Sequence, residues 1–323
     1  MRIVSLAILT IIALACSPTA ERSASQRFPT GPSHILNDPG GVDVGPGRLP
    51  DLIVDADATA KQWVVRDENL PATFCSVEEG GVTPGIRTVL RMTVMTPNIG
   101  TADNYVGNPR VHMGPPVTDA NGNVTYPQSD GLFEFAACHN HFHFRHYALY
   151  ELIDPNTKHV WKAAKKGFCM LDTDPNPASE GTEPPGPLNY LSCGTKTADG
   201  FQGISHGWTD TYRFFLGGQY FVLDGGDGQP VIPPGPYIIR ITVNPPYAPD
   251  ANGTCPRVTD WTAKARGDAA FCHQFAELRY DNNVGEVLIT IPAHPGKTGV
   301  GTAINDQSPN GPNGKGSEPI DGK

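Results

Sequence analysis

The chain of 323 residues has no surplus of positive charge: 24 Lys and Arg stand against 33 Asp and Glu, for a net charge of −9. That balance excludes the basic face a nucleic-acid partner needs and favours cationic partners by steering. No hydrophobic run is long enough to cross a bilayer; residues 3–15 are apolar but too short. There is no internal repeat. There is no phosphate-binding loop either, because the "GKT" at 296–298 lacks the upstream glycine spacing. Long uninterrupted helical stretches are also missing, since 36 Gly and 32 Pro make up about a fifth of the chain. Such punctuation favours short strands joined by turns and loops.

Arg2 followed by the apolar run reads as a signal peptide over residues 1–16. Cys16 after "ALA" resembles a lipoprotein cleavage site, with plain cleavage as the alternative; a lipid there would be the chain's sole membrane attachment. Either way the mature chain is expected to be exported, to a bacterial cell envelope or the medium. Residues 17–47, rich in Ser, Pro and Gly, read as a flexible linker, and residues 296–323 as a disordered tail. Between them lies a single mostly-β domain over 48–295, sandwich-like, with long Gly/Pro-rich loops. Strands are expected over 87–95, 144–153, 219–223, 237–245 and 285–292, with a surface loop over 172–187. Without Cys16, six cysteines remain for an oxidising compartment, which implies three disulfides with fifteen ways to pair.

The most specific stretch is "CHNHFHFRH" at 138–146. Side chains alternate faces along a strand, so His139, His141 and His143 would share one face, about 7 Å apart at successive positions. A twist or bend could then bring three imidazoles onto one transition metal, copper, zinc, iron or nickel, and the three residues do not decide between zinc and copper. Cys138 would face the other way with Phe142, as a disulfide partner rather than a ligand. A His-rich surface strand is the alternative, but the apolar and aromatic flanks imply burial, and buried imidazoles need partners. His146 falls outside the alternation. "GISHG" at 203–207 matches the string of a nucleophile elbow, yet a strand follows where that motif needs a helix.

"CHNHFHF" followed by "YELID" resembles the copper-binding segment of the lysyl oxidases. "LPDLIVDADATAKQWVV", "NIGTAD", "KKGFCMLD", "WTDTYRFFLGGQY", "IPPGPYIIRITVNP" and "ELRYDNNV" resemble further segments of that family in the same order, over most of 48–292. The resemblance implies copper held by His139, His141 and His143. It implies a lysine tyrosylquinone built from Lys165 and Tyr212, with Lys166 as the alternative if the register slips by one. It implies oxidation of a primary amine to an aldehyde by O₂, with release of peroxide and ammonia. The amine could be a small molecule or a lysine-containing protein. It also implies the pairs Cys75–Cys138 and Cys169–Cys193, leaving Cys255–Cys272.

Some members hold calcium with residues that match Asp51, Leu52, Glu277, Asn282 and Asn283 here. Arg279 replaces the family's Asp, so a salt bridge is the alternative. The family's histidine downstream of the copper segment has no counterpart, since Leu149 or Tyr150 occupies its place; His146 is the one substitute nearby. Two other functional classes remain open: an exported copper-binding protein without turnover, and a zinc hydrolase using the same three histidines with a bound water. Only the amine oxidase requires both Lys165 and Tyr212.

Overall fold

The computed structural model describes residues 48–79, 81–176, 188–249, 251 and 272–293. The expected signal peptide, linker and tail, most of the loop at 172–187, and Cys255 lie outside the described residues. The chain is mostly β, as its composition implies, and among the described residues the sheets do not close into a barrel.

The largest sheet has four antiparallel strands in the order Val160–Lys162, Ala148–Ile153, Gly235–Val243 and Val284–Ile291. The last alternates exposed and buried residues without a break, the signature of a half-buried strand. A three-stranded sheet joins Trp63–Leu70, Gly85–Met92 and Tyr220–Val222. Another joins Asp174–Pro175, Trp208–Tyr212 and Val94–Pro97. A hairpin of Phe133–Ala136 and His141–Phe144 completes the region around the site. All of these contribute to one apolar core, for example Val65, Leu90, Val94, Phe142, Phe144, Leu152, Ile239 and Ile289. A smaller cluster with Phe74, Val82, Ala164 and Tyr220 lies beside it.

The expected strands are present with shifted limits. Residues 87–95 form two strands, because the chain breaks at Thr93, whose N–H bonds Gln62 O at 2.9 Å, and passes between sheets. Residues 144–153 also split: Phe144 ends the hairpin and the sheet strand begins at Ala148. The strand Trp63–Leu70 is not evident from the sequence, since Arg66 and Glu68 interrupt its apolar pattern. Both are fully buried. Glu68 bonds Arg66 and accepts two bonds of 2.7 Å from Arg91, also buried. Burial pushes the Glu68 carboxyl up, but the two guanidiniums outweigh it and hold the carboxyl below its ordinary value. Arg91 also donates to Phe214 O and Leu216 O at 3.0 and 3.1 Å, which fixes the loop just after Tyr212.

Candidate metal centre and its cavity

The hairpin register sets His143 opposite Glu134 and His141 opposite Ala136. His141 and His143 thus share one strand face, while Phe142 and Phe144 go into the core at 1% and 0% exposure. His139 does not continue that strand. It sits in the turn, where Asn140 takes a left-handed φ of 55°, a conformation Asn tolerates better than most residues. This turn curls His139 back over the other two, and its ring centroid lies 5.4 Å from that of His141 and 5.0 Å from that of His143. The simple alternation expected over 139–143 is therefore replaced by a turn plus a strand, which gathers the rings more tightly than a flat strand would.

One ligand nitrogen from each of the three histidines lies within 4.8 Å of the others. Nε2 of His141 and Nε2 of His143 are 3.1 Å apart. Imidazole binds a transition metal at about 2.0–2.1 Å, so two such nitrogens on one ion stand roughly 2.9–3.4 Å apart for right-angle to tetrahedral geometry. The three residues present fit a metal ion.

The segment bearing Lys165 lies directly against these histidines. Phe168 and Phe144 exchange backbone bonds of 3.1 and 2.6 Å. Gly167 makes the approach feasible: a Cβ there would meet Cβ and Nδ1 of His143 at 2.6 Å. Gly218, at φ 69°, passes less closely, and a Cβ there would stand 3.3 Å from Lys165 Cα. Tyr212 ends the strand Trp208–Tyr212, opposite Val94, and is 1% exposed. Its hydroxyl donates to Cys169 O at 2.9 Å. Burial, and then the charge of Asp210, push that hydroxyl well above the ordinary tyrosine range. Lys165 Nζ lies 5.0 Å from the centroid of the Tyr212 ring and 5.6 Å from that of Phe168.

The three histidines, Lys165 and Tyr212 line one half-open cavity of about 520 Å³. Leu171, Leu191 and Leu216 supply its apolar wall, and sequence alone marked none of them. Cys169–Cys193, with Cα atoms 5.6 Å apart, forms another part of the wall. Cys75–Cys138 closes the other implied pair, with Cα atoms 5.4 Å apart. Cys272 is disulfide-bonded too, and Cys255 lies outside the described residues. His146 does not line the cavity. Tyr150 is packed edge-on against Phe168, centroids 5.6 Å apart. Ser205 Oγ donates to Asp172 at 2.7 Å in a buried turn, with no helix behind it.

The set matched to calcium is arranged differently. Glu277, fully buried, accepts from Leu52 N and from the side-chain amides of Asn244 and Asn283, the last two at 2.7 Å. Burial pushes its carboxyl up to about 8 against the pull of those donors. Asp51 accepts from Asn282 at 2.7 Å and meets Arg279 Nε at 3.4 Å. Burial raises the Asp51 carboxyl, with Asn282 and Arg279 opposing. Arg279 reaches Asp51 but is not bonded to Glu277.

Fold and site together define a mostly-β, disulfide-bonded protein in which three histidines, a lysine and a tyrosine share a cavity. The family model for lysyl oxidase matches residues 50–251, and the chain belongs to the lysyl oxidase family. It is 28% identical over 244 residues to lysyl oxidase homolog 1 of Bos taurus, covering 71% of this chain and 34% of that protein. It is 26% identical over 211 residues to protein-lysine 6-oxidase of Homo sapiens, covering 62% of this chain and 42% of that protein. The chain thus spans well under half the length of these curated relatives.

Proposed function

We propose that this chain is an exported, copper-dependent amine oxidase of the lysyl oxidase type. The observation that carries the reading is the placement of Lys165 Nζ 5.0 Å from the Tyr212 ring centroid, within the cavity that the three histidines line. Copper at His139, His141 and His143 would supply the redox chemistry with O₂ that converts Tyr212 to a quinone. The contribution of the chain itself is position. The Tyr212–Cys169 bond and the packing of Phe168 fix the ring, and Gly167 and Gly218 let the Lys165 backbone lie close enough for its amine to join that ring. The leucine wall excludes water from one side of the cavity.

The substrate is a primary amine, and the name of the human relative extends the range to lysine side chains of proteins. The disulfides fit an oxidising compartment. Calcium has no part in this reading, because three N–H donors occupy Glu277 and Arg279 pairs with Asp51.

The test is a peptide map of copper-loaded, aerated protein. Lys165 and Tyr212 should appear in one crosslinked peptide that reacts with phenylhydrazine. Full copper loading without a crosslink would leave a copper-binding protein and end the oxidase reading.

A further inference from the structure

We propose that Glu79 is a positioning residue for the metal centre and acts through His139. The inference rests on the metal reading above. Its starting point is a contact between two elements far apart in sequence. Glu79 Oε1 lies 3.3 Å from Nε2 of His139, with the two side chains 24% and 8% exposed. Glu79 is not in the group of ligand atoms lying within 4.8 Å of one another, so it is a neighbour of His139 and not one of the three converging ligands.

The chain builds this contact deliberately rigid. Glu79 caps the short helix Cys75–Glu78, its N–H bonding Cys75 O and Val77 O. Cys75, at the start of that helix, is disulfide-bonded to Cys138, the residue just before His139. The bridge therefore clamps the helix against the histidine turn and brings Glu79 to the ring. Ser76 between them accepts a 2.7 Å bond from the Tyr220 hydroxyl, which ties the helix to the three-stranded sheet. Phe74 and Val82 pack into the smaller apolar cluster on either side. Glu79, Ser76, His139, His143 and Lys165 border one small void.

Neutral imidazole carries one N–H and one lone pair. A carboxylate facing one ring nitrogen favours the tautomer with the proton there and leaves the lone pair of the other nitrogen for a metal. It also holds the ring plane and raises the basicity of the ligand. Losing such a partner typically weakens metal binding by roughly 10–100-fold.

The test is a competitive copper(II) titration of metal-free, disulfide-intact protein, with the copper spectrum recorded by electron paramagnetic resonance. Wild type should bind one equivalent. Glu79→Ala should bind roughly 10–100-fold more weakly with the same nitrogen ligand set. Glu79→Gln keeps the shape without the charge and should fall between the two. Glu78→Ala, an exposed neighbour, should match wild type. A melting curve and disulfide mapping show whether each variant is folded, and Glu79→Gln decides if the alanine variant is not. Affinities of the Glu79 variants equal to wild type would overturn the proposal. So would a spectrum showing loss of an oxygen ligand, since Glu79 would then bind the metal itself. Wild type that binds no copper would instead remove the metal reading, and this proposal with it.

Discussion

Two regions of this chain gather polar side chains of kinds that bind ions, and they are built in opposite ways. Around His139, His141 and His143, ring nitrogens converge on a cavity, with two of them 3.1 Å apart. Around Asp51 and Glu277, the oxygen atoms meet donors belonging to the chain: Leu52 N, Asn244, Asn282, Asn283 and Arg279. Imidazole nitrogens gathered at one point suit a metal ion between them. Facing donor–acceptor pairs already satisfy each other, and an added cation would have to displace them. Residue identity alone does not separate the two cases; whether the groups meet donors of the chain does.

The largest expected effect tests the first region. If the proposed function holds, Lys165→Ala and Tyr212→Phe should each abolish amine-dependent peroxide release while leaving copper in place, because neither is among the three histidines proposed to hold it. Lys166 is exposed, and Lys166→Ala should be mild. Peroxide release and metal content measured on the same preparations check this. Full activity in Tyr212→Phe would remove the quinone from the reading.

Next in size is the ligand set. Replacing His139, His141 and His143 together by Ala should eliminate bound copper as measured by elemental analysis. The second region should be indifferent to that change, with the melting temperature of the metal-free triple variant close to that of metal-free wild type. Retained copper would mean that the convergence of these rings is not a metal site.

Stability, not metal, is the expected readout for the second region. Glu277→Ala would leave three buried donors without their acceptor, at a cost of about 3 kcal/mol or more. Glu277 also gives stability a pH dependence. Its carboxyl titrates at about 8 when folded, against an ordinary value of 4.5. Between those values the folded chain holds a proton that the unfolded chain has released. Stability from this group therefore falls as pH rises from about 4.5 to 8, by up to about 1.4 kcal/mol per pH unit, and is level outside that window. Denaturant titrations across that range, with Glu277→Gln as the variant lacking the slope, would show it. A wild-type profile flat between those limits would mean that the donors keep Glu277 ionised.

The sequence made the strands Gly235–Val243 and Val284–Ile291 legible because alternation survives where one face meets water. It hid Trp63–Leu70, because Arg66 and Glu68 read as surface residues until Arg91, on the neighbouring strand, is seen to pair with Glu68 in the core. At the site, the three histidines were legible as a group from their spacing. The turn at Asn140 was not, since a left-handed Asn leaves no pattern in the residues around it. Lys165 and Tyr212 stood out only through family resemblance. Leu171, Leu191, Leu216 and Glu79 could not be read at all, because each enters through contacts between distant segments. Glu79 came nearest to being legible, lying four residues after the cysteine matched to Cys138.

The smallest expected effect sharpens the comparison most directly. Arg279 brings a positive charge to the second region, and its guanidinium meets Asp51 at 3.4 Å. If the side chain occupies the place of a cation, calcium should not move the melting temperature of the wild-type chain. Arg279→Asp exchanges the internal cation for a third carboxylate beside Asp51 and Asp281, and should lower stability in the absence of calcium through their mutual repulsion. Added calcium should then recover the loss, since an ion that binds only the folded state stabilises it by about 2.7 kcal/mol at a hundred times its dissociation constant. Thermal melts of both proteins with calcium and with a chelator measure the difference. A wild-type chain that gains stability from calcium would show Arg279 yielding its place, and the contrast between the two regions would then be one of affinity rather than of kind.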